Sequence, residues 1–165
     1  SSAYRSRFGS LLRAYTLVGY KPRRDFEFVE INRALRQMHP EIVDGVVASL
    51  RTAGSTVERS ETDLIMVNGE FTASIVISRC QQTQAGAYRW RLRFDTGMLP
   101  DVSIVVRMAA NNRDPLDYYL LPSIDLRREK LRLAEENGLA LDAYRFDDLE
   151  AFYDFVSPVQ LREVA

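Results

Sequence analysis

The amino-acid sequence predicts an α/β chain of the α+β kind: a mixed, largely antiparallel sheet flanked by helices, with a short helical element in front. Three observations carry this prediction. Apolar residues recur at helical spacing, about 3.6 residues, as far as Gly54 and at a spacing of about two beyond it. The dipeptide Asn68-Gly69 sits between two apolar stretches, where a hairpin turn needs positive φ at both positions. The segment Tyr88-Arg89-Trp90-Arg91-Leu92-Arg93-Phe94 alternates without a break, as a half-buried strand does.

The elements follow in order. Tyr4, Phe8, Leu11, Leu12, Tyr15 and Val18 share a helical face that stops at Gly19. Lys21-Pro22-Arg23-Arg24 reads as a linker, which sets an N-terminal element at residues 1–24 and an α/β domain at 25–165. Asp25 opens a second helix with Phe28, Ile31, Leu35 and Met38 on one face, expected to end before Pro40 with His39 at its terminus. A third helix is expected from Pro40 to Gly54, burying Ile42, Val43, Val46, Val47 and Leu50. Strands are expected at Thr56–Arg59, Asp63–Val67, Glu70–Cys80, Tyr88–Phe94, Val102–Met108 and Leu116–Leu121, with a looser hairpin at Gln84-Ala85-Gly86. The pattern then predicts a helix over Leu126–Glu136 closed by Asn137-Gly138, a strand over Leu141–Phe146, and a last helix capped by Asp147 and stopped by Pro158.

Composition excludes several classes. The chain has 165 residues, enough for one domain with a sizeable core, and a formal net charge of −1, so only the distribution of charge is informative. Cys80 is the single cysteine and His39 the single histidine, which removes intramolecular disulfides, cysteine metal clusters, the usual zinc sites and most catalytic triads. Cys80 reads as a small buried side chain, and Tyr118 and Tyr119 as part of a buried strand. No apolar run is long enough to span a bilayer and no signal peptide is evident, so a cytoplasmic protein is expected.

Charge is concentrated at one end. Residues 1–24 carry Arg5, Arg7, Arg13, Lys21, Arg23 and Arg24 and no acid. Such a cluster is the electrostatic footprint of a phosphate backbone, or else a solvated basic helix. The alternating strand places Arg89, Arg91 and Arg93 on one face, about 7 Å apart, and such a row repels itself unless acids or phosphates stand opposite. Cross-strand acids such as Glu70 and a bound nucleic-acid backbone are both open readings of that row. Pro100-Asp101 reads as turn chemistry. The C-terminal acids Asp147, Asp148, Glu150 and Asp154 are either a solvated face or a docking surface for a basic protein partner.

Two resemblances arise from these residues. The order of elements, with Thr62-Asp63-Leu64-Ile65-Met66-Val67-Asn68-Gly69 at its centre, resembles the PD-(D/E)xK nuclease fold. That resemblance implies a Mg²⁺-dependent nuclease using Asp63 and Glu70, but the next strand reads Ala73-Ser74-Ile75-Val76-Ile77 where the family places an acid and a lysine. The departure implies a nuclease-like fold without catalysis or metal that retains DNA binding. The second concerns Tyr4-Arg5-Ser6-Arg7-Phe8-Gly9-Ser10-Leu11-Leu12-Arg13-Ala14-Tyr15, which is similar to the small helix-turn-helix repeats attached to homing endonucleases and to segments downstream of the catalytic domain in large bacterial serine recombinases. It implies a piece of a mobile-element protein that binds double-stranded DNA without a catalytic residue or cofactor of its own. A Mg²⁺-dependent nuclease and a protein-interaction domain stand as alternatives.

Overall fold

A computed structural model of the chain describes residues 13–14, 17–19, 27–94, 99–125 and 130–159. They divide into two compact units, residues 1–34 and 35–165. In the first, Arg13, Ala14 and Leu17 are helical, and Gly19 has a φ of 71°, the left-handed conformation in which helices commonly stop. The expected boundary after Arg24 lies outside the described residues.

Helix α1 runs without interruption over Glu27–Thr52, with Pro40 inside it. The two helices expected to meet at Pro40 are therefore one, and His39 lies in the middle of it. A proline in a helix interior costs about 3 kcal/mol in lost hydrogen bonding and ring clash. Val43, Val46, Val47 and Leu50, all buried, each contribute about 1.5–3 kcal/mol and together outweigh that cost. His39 adds a tether, its Nε2 lying 2.9 Å from the Ile75 carbonyl oxygen.

Beyond α1 come nine strands among the described residues. They are β1 (Val57–Arg59), β2 (Ile65–Val67), β3 (Phe71–Ser78), β4 (Cys80–Gln82), β5 (Tyr88–Arg93), β6 (Val102–Met108), β7 (Pro115–Pro122), β8 (Lys130–Leu133) and β9 (Arg145–Phe146). Six of them form a sheet in the order β1-β2-β3-β6-β7-β9, and β4-β5-β8 form a second. Only the β3–β6 pair is parallel. A mixed, largely antiparallel sheet is thus observed, as expected. The β2–β3 turn is Asn68-Gly69 with φ of 54° and 65°. Asn68 also locks the turn in place, accepting from the Thr56 N–H at 2.9 Å and donating to the Val156 carbonyl at 2.7 Å.

A parallel pair needs a long crossover. Between β3 and β6 that crossover is the β4–β5 hairpin, and it lies over one face of the large sheet. Cys80, Trp90, Leu92 and Leu133 of the small sheet pack with Val105, Tyr119 and Leu121 of β6 and β7 in one buried cluster. The sheet switch at Arg79 explains why the single strand expected over Glu70–Cys80 is two. Asn112 then closes the outer edge of β4 by accepting from the Cys80 N–H at 2.6 Å and donating to its carbonyl at 3.1 Å, as a neighbouring strand would.

Three further expectations are corrected near the C-terminus. Lys130–Leu133 is strand, not part of a helix over Leu126–Glu136, because Leu131 and Leu133 alternate into the core beside β5; residues 126–129 lie outside the described ones. In place of a strand over Leu141–Phe146 the chain forms a short helix α2 (Leu139–Asp142) followed by β9. The last helix, α3 (Glu150–Val156), starts after Leu149, and Asp148 rather than Asp147 accepts from its first N–H, at 3.0 Å. It ends at Val156, ahead of Pro158, as expected.

Candidate nucleic-acid interface

The outward face of the small sheet is where the alternation of β5 leads. With Trp90 and Leu92 buried, Arg91 and Arg93 are exposed and Arg89 half-buried on the opposite side. Antiparallel register decides what stands beside them. Arg91 is opposite Arg132, Arg93 opposite Lys130, and Arg89 opposite Gln81. Among the described residues no carboxylate is within ion-pair distance of Arg89, Arg91, Arg93, Lys130 or Arg132. Like charges directly opposite destabilise a strand pair, by about 1 kcal/mol for unit charges roughly 4–5 Å apart in water. Two such pairs stand side by side here.

Arg79 extends the same face. Turned with its amide oxygen toward that guanidinium, Gln81 accepts from Arg79 Nε at 2.8 Å. Burial, and then the positive charge of Arg91, hold the Arg79 guanidinium below the ordinary arginine pKa. Arg89 folds back on its own strand, donating to the Tyr88 carbonyl at 2.6 Å.

A buried arginine fixes the small sheet to the large one. Arg107 on β6 is 2 % exposed and bonds the Asp117 carboxylate in bidentate fashion, at 2.6 Å through Nε and 2.5 Å through Nη2. Its Nη1 donates to the Ala134 carbonyl just past β8. The guanidinium carbon lies 4.4 Å from the Trp90 ring centroid and 5.1 Å from that of Tyr119, an arrangement with cation–π attraction on both sides. Burial disfavours its charge, but the hydrogen bond and charge of Asp117 more than reverse this and raise its pKa. Trp90 donates through Nε1 to the Met108 carbonyl at 2.8 Å. The tryptophan beneath the basic face is therefore held at its edge and on its ring.

The sequence-predicted residues are dispersed. Arg89, Arg91 and Arg93 meet on one face, joined by Lys130 and Arg132, which sequence reasoning missed because it placed them on a helix. Arg13 is exposed on a helical segment of the N-terminal unit, whereas Arg5, Arg7, Lys21, Arg23 and Arg24 lie outside the described residues. Asp63 is in a turn with φ of 60°, ahead of β2, and Glu70 follows the Asn68-Gly69 turn at the other end of that strand. The length of β2 separates them, at least about 10 Å for three residues at 3.3 Å each. They are not brought together as the ligands of one Mg²⁺ ion, and among the described residues no three His, Cys, Asp or Glu side chains cluster as a metal site would require. Cys80 is buried, and burial raises its thiol pKa, which keeps it protonated near neutral pH. The four C-terminal acids, Asp147, Asp148, Glu150 and Asp154, are all exposed on or beside α3. No helix among the described residues is long and apolar enough to cross a membrane.

No protein-family model matches the chain, and no curated protein matches it. Among solved structures it is similar to the bacterial homing endonuclease I-Ssp6803I, with 15% sequence identity and a TM-score of 0.42 over 73% of this chain and 90% of that one.

Proposed function

We propose that the chain is a DNA-binding region, without catalysis of its own, of a site-specific recombinase or related mobile-element protein. The outward face of the β4-β5-β8 sheet holds duplex phosphates, and the acid-free segment 1–24 adds contacts. One observation carries the reading: Arg91 faces Arg132 and Arg93 faces Lys130, with no described acid to pair them. Folding gains nothing from that arrangement, and a polyanion turns its repulsion into attraction. The mobile-element assignment rests on the similarity of residues 4–15 to helix-turn-helix segments of such proteins. Because neutralising each phosphate releases condensed counterions, about five contacts give a slope of log affinity against log salt near −4 to −5. Anisotropy with a labelled random duplex measures that slope. Absent or salt-independent binding contradicts the proposal.

A further inference from the structure

We infer that the basic face ranks nucleic acids by charge density alone, preferring a duplex to a single strand and ignoring base sequence. The inference rests on the DNA-binding reading and concerns only the β4-β5-β8 face.

The face offers no ring on which a base could stack. Proteins that hold single strands stack bases on aromatic rings, at about 1–3 kcal/mol per base. β5 has aromatic residues, but Tyr88 and Trp90, like Phe94 beyond its end, all pack toward the core cluster. The outward positions are Gln81, Arg89, Arg91, Arg93, Lys130 and Arg132. None offers a ring to a base.

Reading base edges is blocked by shape. A two-stranded ribbon fits the major groove, which is about 12 Å wide. Here three strands lie flat on the core, and the outer two are roughly 10 Å apart at 4.8 Å per strand spacing, before side chains are counted. Only the tips of the cationic side chains reach a nucleic acid, and the nearest groups are phosphates.

What remains is charge. From Arg89 to Arg93 the row is about 14 Å long. Over that distance a duplex presents roughly eight phosphates and one strand roughly four, at 1.7 and 3.4 Å of axis per charge. A face without stacking or base contacts therefore favours the duplex.

The test uses the full chain at low salt with three labelled ligands of equal length: two duplexes of unrelated sequence and one oligothymidine strand. The variants are Arg91→Gln/Arg132→Gln and Arg91→Lys/Arg132→Lys, whose exposed positions leave the core intact. The glutamine variant should weaken both duplexes by one common factor, on the order of 100, and the single strand by less. The lysine variant should stay within a few fold of the parent, since it keeps the charges. Unequal losses on the two duplexes, a loss on the single strand as large as on the duplexes, or a lysine variant as weak as the glutamine one would each overturn the inference and leave DNA binding standing. A glutamine variant that binds like the parent places binding elsewhere and also overturns it. Failure of the unaltered chain to bind any of the three ligands contradicts the DNA-binding reading itself.

Discussion

Arg107 and Asp117 are direct cross-strand partners on β6 and β7, and their bidentate ion pair is sealed between the two sheets with the guanidinium between Trp90 and Tyr119. Removing one member of a buried pair strands the other charge without water, which costs about 3–5 kcal/mol. Asp117→Ala should lower the unfolding free energy by that amount in urea titration. The double variant Arg107→Met/Asp117→Leu, which leaves no charge behind, should lose clearly less. Equal losses in the single and double variants would mean that the contact with Trp90, not charge burial, is what stabilises the site.

Acid should act where β3 meets the chain entering β6. Asp101 accepts from the Thr72 N–H at 2.7 Å and the Thr72 hydroxyl at 2.9 Å, and these bonds hold its carboxyl below the ordinary aspartate value. A depressed folded-state pKa gives stability that is complete above the unfolded value, about 3.9, and is lost as pH falls through the folded one. The stability difference between the parent and Asp101→Asn should thus be constant near neutrality and shrink below about pH 4. A difference that stays constant through the acid range would contradict the assignment.

How much of this was legible in the sequence depended on whether the signal was local. The Asn68-Gly69 turn and the alternation of Tyr88–Arg93 are written in consecutive residues, and both are found as expected. The β6 strand over Val102–Met108 was equally plain from its apolar run. Pro40 misled because its local cost is overridden by burial one and two turns later. Lys130–Leu133 misled more seriously. Charged residues and leucines of high helix propensity filled the segment, and only pairing with β5, some forty residues earlier in the chain, makes it a strand. With it went Lys130 and Arg132, half of the facing cation pairs. Asp117 could not be matched to Arg107 from sequence either, since the register that joins them belongs to the sheet.

The separation of Asp63 from Glu70 by the length of β2 leads to an expectation about chemistry. Supercoiled plasmid incubated with the chain and Mg²⁺ or Mn²⁺ should remain intact, because two carboxylates that far apart do not hold one ion between attacking and leaving oxygens. Nicking that disappears in Asp63→Ala would restore the nuclease reading.

The central claim is that the outward row of β5 is a phosphate-binding surface. Its most direct test is the salt dependence of duplex binding by Arg89→Gln/Arg91→Gln/Arg93→Gln, measured beside the thermal melt of the same variant. The variant should show an unchanged melting transition, a uniform loss of affinity across sequences, and a salt slope shallower by roughly 2 to 3, one unit or slightly less for each phosphate contact removed. Unchanged affinity and slope in a normally folded variant would contradict the claim and leave the row a solvated face.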